Sequence, residues 1–280
     1  MKNNNTIAFQ GLPGANSDLA CRQAYPYMDT LAVPSFEDVF QAVEDGRALL
    51  GLIPIENSQA GRVAEIHNIL PRTKLHIVGE YFQKIHYQLL APETATLQTV
   101  KTVYSHPQGL MQCRENIRKL KLHPEPHSNT AAAAADVAKW NDPAKCALAS
   151  SLAGELYGLK ILKDGMEDSG DNTTVFITIA KEPADPDPAK GAVITTLLFG
   201  IRNIPAALYK SLGGFATNGV NMLKIESYIP GGVSSGAQFF MTFEGSPQQR
   251  NVQLALEELG FFSKKVQVLG VYYADKARGL

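Results

Sequence analysis

The stretch LLGLIPIENS (Leu49–Ser58) decides how this chain is built. From Leu49 to Ile55 the run is almost wholly apolar, the pattern of a strand covered on both faces, as in parallel sheets. Glu56, Asn57 and Ser58 follow at once, at the carboxyl end of that strand. In open α/β sheets that end forms the rim where ligands bind.

Working outward, Ile7–Phe9 reads as a strand, Gly11–Ser17 as a Gly/Pro turn and Asp18–Ala24 as a helix. Ser35 caps a helix carrying Phe36, Val39, Phe40 and Val43 at helical period, and Gly46 ends it. Val63, Ile66, Ile69 and Leu70 mark another helix and Leu75–Phe82 another strand. From His86 the rhythm repeats. Strands at His86–Leu90 and Val100–Tyr104 precede a helix over Pro107–Leu120, and an alanine-rich helix, Ala131–Lys139, follows Ser128. Cys146–Ala149 is a strand, Leu152–Tyr157 a helix and Val175–Ile179 a closing strand. This alternation predicts βαβ units, mostly parallel sheet, and two lobes flanking a cleft, the second over about residues 83–160.

KEPADPDPAK (Lys181–Lys190) carries three prolines and three acidic residues, a stiff solvated linker. Beyond it the pattern is strand 193–199, helix 205–217, strands 220–229 and 236–243, helix 247–259 and strand 266–273. That is the βαββαβ order of a ferredoxin-like module, with Pro230-Gly231-Gly232 as the central hairpin turn. The expected organisation is therefore α/β: a two-lobed part over 6–181, a linker over 182–191 and a small module over 192–275.

Composition narrows the function. With 280 residues, about two domains are expected. Lys plus Arg number 26 and Asp plus Glu 27, a balance that argues against a nucleic-acid partner. Cys21, Cys113 and Cys146 are odd in number and form no CxxC pair, so neither a disulfide framework nor a zinc site is indicated, and a reducing, cytoplasmic compartment is expected. No apolar signal core follows the polar start, and no run approaches a membrane span. Asn172-Thr173-Thr174 fits a glycosylation pattern that has no meaning without secretion.

GxGxxG, GxxxxGK[ST] and HExxH are all missing, which points away from nucleotide cofactors and metal. His123 and His127 are spaced like ligands on a helix, but Pro124 and Pro126 make that stretch a surface loop. Gly232-Val233-Ser234-Ser235-Gly236 matches GxSxG, yet it falls between two strands, where a nucleophile elbow needs a strand and then a helix. Cys113, inside a predicted helix, reads as a small buried hydrophobe.

Four polar clusters follow predicted strand ends: Gly14-Ala15-Asn16-Ser17, Glu56-Asn57-Ser58, Ser105-His106-Pro107-Gln108 and Ser128-Asn129-Thr130. Three open helices, whose free N–H groups and partial positive charge favour an anion. Each could serve only as a cap; four on one rim predict a cleft for a small carboxylate. Glu56 has two readings, a structural acceptor, which is favoured, or a general acid with raised pKa.

These motifs together resemble prephenate dehydratases, from about Thr6 to about Ala274. Ile53-Pro54-Ile55-Glu56-Asn57-Ser58 is similar to the family's VPIENS, and Ser105-His106-Pro107-Gln108 with Gln112-Cys113 to its SHPQALxQC. Ser128-Asn129-Thr130-Ala131 resembles its helix opening. The family's Thr-Arg-Phe stands here as Thr174-Val175-Phe176, with the threonine kept and the arginine replaced. At the start, Ala15-Asn16 replaces Thr and an aromatic, while Ser17 matches. The last module resembles an ACT domain: Asn203-Ile204-Pro205-Ala206-Ala207-Leu208 is similar to NxPGAL and Lys224-Ile225-Glu226-Ser227 to the start of KIESRP.

The resemblance implies a lyase that converts prephenate to phenylpyruvate without cofactor or metal. It implies Thr174 as the catalytic hydroxyl, and Ser17, Glu56, Asn57, Ser58, Ser105, Gln108, Ser128, Asn129, Thr130 and Phe176 around the substrate. It implies feedback by phenylalanine at Asn203, Pro205, Ala206, Ala207, Leu208, Glu226 and Ser227, in a homodimer or homotetramer. Arogenate dehydration and a non-catalytic sensor of the same fold are the alternative readings.

Overall fold

A computed structural model of the chain describes residues 5–202, 204–228 and 237–280. Its elements in chain order are β1 (Thr6–Gln10), α1 (Asn16–Ala24), β2 (Asp29–Val33), α2 (Phe36–Glu44), β3 (Leu50–Asn57), β4 (Gly61–Arg62), α3 (Ala64–Ile69) and β5 (His76–Lys84). Then come β6 (Gln88–Ala91), β7 (Thr102–Ser105), α4 (Pro107–Gln112), α5 (Arg114–Lys119), β8 (His123–Pro126), α6 (Thr130–Trp140), β9 (Lys145–Ala149), α7 (Ser151–Tyr157), β10 (Lys160–Lys163) and β11 (Thr173–Ala180). The last module holds β12 (Val193–Ile201), α8 (Ala207–Thr217), β13 (Met222–Tyr228), β14 (Gln238–Glu244), α9 (Arg250–Phe262) and β15 (Ser263–Tyr273).

The chain separates into two compact units. One comprises Met1–Arg62 with Tyr81–Phe176, the other Val63–Glu80 with Ile177–Leu280. The first unit contains two lobes. One is built on a sheet ordered β2-β1-β3-β11-β5, with β4 hairpinned onto β3; the other is ordered β10-β6-β9-β7-β8. β1 pairs in parallel with β2 and β3. Ile7, Phe9, Ala20, Cys21, Leu52 and Phe176 pack there, which explains why β3 reads as apolar on both faces. In the second lobe β7 runs parallel to β8 and β9, while β6 runs antiparallel to β9 and β10, so this sheet is mixed rather than mostly parallel.

Several elements depart from the sequence reading. The helix expected over Pro107–Leu120 is two, α4 and α5, broken at Cys113. The carboxylate of Asp168 accepts from the backbone N–H of Glu115 at 2.9 Å and of Asn116 at 3.1 Å, capping α5 from a distant part of the chain. His123–Pro126, expected to be a surface loop, is the edge strand β8; an edge is where proline is tolerated. Strands β2 and β10 are absent from the sequence reading, because Asp29–Val33 and Lys160–Lys163 lack a strong apolar signature.

In the second unit the sheet order is β13-β14-β12-β15, with the antiparallel pairings of a ferredoxin-like fold. Leu197, Phe199, Phe215, Phe239, Met241 and Phe243 form its core with Val252, Ala255 and Leu259 from α9. The expected hairpin turn at Pro230-Gly231-Gly232 and the GxSxG stretch over 232–236 lie outside the described residues. Residues 63–80 group by contact with this unit. Three contacts bind them: His67 Nε2 lies 2.9 Å from Glu226 Oε2, Arg278 grips Glu80 through both carboxylate oxygens, and Gly270 lies against Ile77.

Candidate active site

β3 ends and β11 begins side by side in the first unit, and a serine fastens them. Ser58 Oγ donates to Asp171 O at 2.6 Å and accepts from Thr173 N at 3.0 Å, while Ser58 N donates to Thr173 O at 2.9 Å. The clasp brings Asn57 against the start of β11. Asn57 Oδ1 accepts from the backbone N–H of Gln59 at 3.1 Å and of Ala60 at 2.9 Å. Those groups can only donate, so they fix which end of the Asn57 amide is nitrogen.

Everything downstream inherits that polarity. Asn57 Nδ2 donates to Thr174 Oγ1 at 3.0 Å and to Asn172 Oδ1 at 2.8 Å. Asn172 must then present its own Nδ2 to the next group, Gln112 Oε1 at 3.0 Å. Tyr87 OH donates to the same oxygen at 3.1 Å. One chain of hydrogen bonds thus joins β3, β11, α4 and the residue before β6. Asn172 is 1 % exposed, so its amide has no water to fall back on and the direction of the chain is enforced. The consequence at Thr174 is chemical: its oxygen already accepts from Asn57, so its own O–H is left to donate.

Of the residues implied by the resemblance, Thr174 and Asn57 come together. The Ser58 hydroxyl is engaged in the clasp, donating once and accepting once. Ser105 is fully buried and donates to Leu148 O at 2.7 Å, so it ties β7 to β9. Phe176 is a core residue at 1 % exposure, because the strand period that brings Thr174 to the end of its face turns Phe176 into the packing beneath. Glu56 lies opposite Arg62 in the β3–β4 hairpin. Ser17 is half-buried in the first turn of α1, where no side chain caps the helix. Buried Asp18 beside it accepts from Gly14 N at 2.9 Å and pairs with Arg22 at 2.9 Å, which sets a negative charge near that helix start.

The other two helix starts are partly satisfied. His106 accepts from Gln108 N at 3.3 Å, and Asn129 caps α6 through Ala132 N at 2.7 Å. The Gln108 and Thr130 side chains are half-buried, and exposed Ser128 touches His127 at 3.3 Å. The lobes meet at the first turn as well: Ser150 Oγ donates to Gly14 O at 2.6 Å and Tyr157 OH to Pro13 O at 2.7 Å. Sequence reasoning missed Asn172, Gln112 and Tyr87. Asn172 was legible, two residues from Thr174 on a strand path. Gln112 was legible too, one helical turn from Gln108. Nothing local pointed to Tyr87.

Burial pushes the Cys113 thiol well above its usual range, with Asp168 and Glu167 adding to the effect, so it holds almost no thiolate. Among the described residues no group of three His, Cys, Asp or Glu could hold a metal ion, and no helix is long and apolar enough to cross a membrane.

In the second unit, Pro205 and Ala206 form the turn before α8, and Ala207 and Leu208 its first turn. Ala206 is left-handed at φ 59°, which explains why a glycine suits this position. Glu226 is already engaged, by His67 and by Lys224 Nζ at 3.2 Å, and Ser227 pairs with Phe239 across the sheet. Asn203 lies outside the described residues.

The sequence of residues 7–184 matches the family model for prephenate dehydratase. The chain belongs to the prephenate dehydratase family. It is thereby an enzyme of the carbon–oxygen lyase class. A bifunctional N-acyl-homoserine lactone acylase/prephenate dehydratase from Komagataeibacter europaeus is 46 % identical over 278 residues, covering 99 % of both chains. Arogenate dehydratase 3 of Arabidopsis thaliana is 35 % identical over 285 residues, covering 96 % of this chain and 67 % of that one. The crystal structure of prephenate dehydratase in complex with L-Phe from Arthrobacter aurescens superposes with a TM-score of 0.86 at 27 % identity, covering 96 % of this prephenate dehydratase family member and 89 % of the other.

Proposed function

We propose that this chain converts prephenate to phenylpyruvate, carbon dioxide and water, with Thr174 as the hydrogen-bond donor to the departing ring hydroxyl. The observation that carries the reading is the Asn57 Nδ2 donation to Thr174 Oγ1, which leaves the threonine proton free to point at a leaving oxygen. Aromatisation drives the reaction; the barrier lies in expelling hydroxide. A threonine is too weak an acid to surrender its proton outright, so it stabilises the leaving oxygen as charge builds there, and water completes the protonation. Gln112, with its carbonyl end held inside, offers its NH2 end as a second donor to the substrate.

Arogenate differs from prephenate in carrying an amino group in place of the side-chain keto group, and relatives of both names match this chain. We favour prephenate on the relative with near-complete coverage at 46 % identity. We read the domains as 6–181, 182–191 and 192–275, the last an ACT module in a homodimer or homotetramer of cytoplasmic protein. The edge strand β13 is suited to such pairing. Feedback by phenylalanine is supported by the L-Phe-bound relative, and the effector would act by favouring a less active state.

The deciding experiment follows phenylpyruvate absorbance after adding prephenate, with arogenate in parallel. Thr174→Ala should cut turnover at least about a hundredfold with folding retained. Near-normal turnover in that variant removes Thr174 from the mechanism. The Komagataeibacter relative's other named activity gives a second assay, acyl release from N-acyl-homoserine lactone. Any such activity should be indifferent to Thr174→Ala.

A further inference from the structure

Gln112 stays useful to a substrate only while its amide faces one way, and two donors hold it so. Asn172 Nδ2 and Tyr87 OH both point at Gln112 Oε1, from 3.0 and 3.1 Å. Turning the amide over would set Nε2 against Asn172 Nδ2, which can only donate, and would leave the buried Tyr87 proton without its acceptor. Asn172 is fixed through Asn57 by backbone amides; Tyr87 is the other half of the lock and comes from a different part of the chain. We propose that Tyr87 is a positioning residue for the dehydratase reaction: its hydroxyl, with Asn172, holds the Gln112 carboxamide so that the NH2 end is presented to the substrate. The inference rests on the dehydratase reading above.

Three features build this lock. Tyr87 is anchored by its backbone, its N–H donating to Glu167 Oε2 at 3.0 Å and its carbonyl accepting from Met166 N at 2.9 Å. Its ring lies under α4 in space that exists only because residue 109 is glycine. A Cβ there would stand 3.1 Å from ring atom Cε1, 3.3 Å from Cζ and 2.9 Å from Ser105 Oγ. Ser105, tied to Leu148, cannot retreat, so any side chain at 109 would displace the ring and its hydroxyl with it. Finally, the ring is 5 % exposed. Burial, with help from neighbouring Cys113 and Glu167, pushes the phenol above its usual range, so the hydroxyl keeps its proton and remains a donor wherever the enzyme works.

The test is a double-mutant cycle on kcat/KM for prephenate, with Tyr87→Phe and Gln112→Leu alone and combined. Tyr87→Phe should lower kcat/KM about five- to tenfold, the worth of one hydrogen bond, while the thermal midpoint moves little. In the Gln112→Leu background the same change should cost less than about twofold, because the group it orients is gone. An undiminished loss in that background, or no loss from Tyr87→Phe alone, overturns the proposal. Should Gln112→Leu turn over too slowly to measure, the same cycle is read from phenylpyruvate affinity by calorimetry, with the same two outcomes. Wild-type protein that fails to dehydrate either prephenate or arogenate sinks the dehydratase reading and the positioning role together. A working wild type with an indifferent Tyr87→Phe sinks only the latter.

Discussion

Replacing Asn57 by aspartate changes one NH2 for one oxygen at nearly constant shape, and it should reverse the polarity of the whole hydrogen-bond chain. The introduced carboxylate can still accept from Gln59 N and Ala60 N, so the turn after β3 survives. What it cannot do is donate to Thr174 Oγ1 or Asn172 Oδ1, now 3.0 and 2.8 Å from an acceptor. Thr174 responds by donating its proton to that carboxylate, away from the substrate. Asn172 turns its amide over, Gln112 follows, and Gln112 then shows a carbonyl where it showed an NH2 group. Only the Tyr87 hydroxyl is left without an acceptor for its proton. The folding cost is thus that of about one buried hydrogen bond, ~1–2 kcal/mol. Removing one preorganised donor from a developing oxyanion costs about 10²–10³ in kcat, or ~2.7–4 kcal/mol. Repulsion between the introduced carboxylate and the dianionic substrate should appear separately, as a raised KM. The assay is steady-state phenylpyruvate formation beside a guanidinium melt. If Asn57→Asp keeps kcat within about tenfold of wild type while remaining folded, Thr174 does not need an outward proton and the mechanism is wrong.

Three further outcomes concern the second unit. Gly270→Ala would place a Cβ 2.0 Å from Ile77 O, an overlap that only a backbone shift can relieve, so a loss of about 3 kcal/mol or more in denaturant unfolding is expected, with residues 63–80 losing hydrogen-exchange protection first. The His67 ring, with Lys224 assisting and burial opposing, holds the Glu226 carboxyl down at about 2. A lowered folded pKa means stability that is present above the ordinary glutamate value and lost as pH falls from about 4.5 towards 2; a Glu226→Gln variant should lose this acid limb in pH-dependent melts. Ala206→Gly should raise stability by about 1 kcal/mol, since Ala206 holds φ 59°; an unchanged or lowered thermal midpoint would show that the methyl is compensated.

The sequence by itself determined the outline. The apolar run of β3, the linker and the βαββαβ pattern are local features, and local periodicity is sufficient to specify a strand, a boundary or a small module. It also placed Asn57 and Thr174 at strand ends. It could not tell that Ser58 and Ser105 tie strands together while Tyr87 and Gln112 join the hydrogen-bond chain that reaches Thr174, because a hydroxyl's role depends on what stands opposite it, and the partners lie between 25 and 115 residues away along the chain. The same is true of the break at Cys113, where Asp168 caps α5 from outside the helix, and of residues 63–80, whose packing against Gly270, Glu226 and Arg278 no local pattern announces. The direction of the hydrogen bonds was decided last and only in three dimensions. Two backbone amides fix one asparagine, and each buried partner, lacking water, has a single orientation that satisfies it.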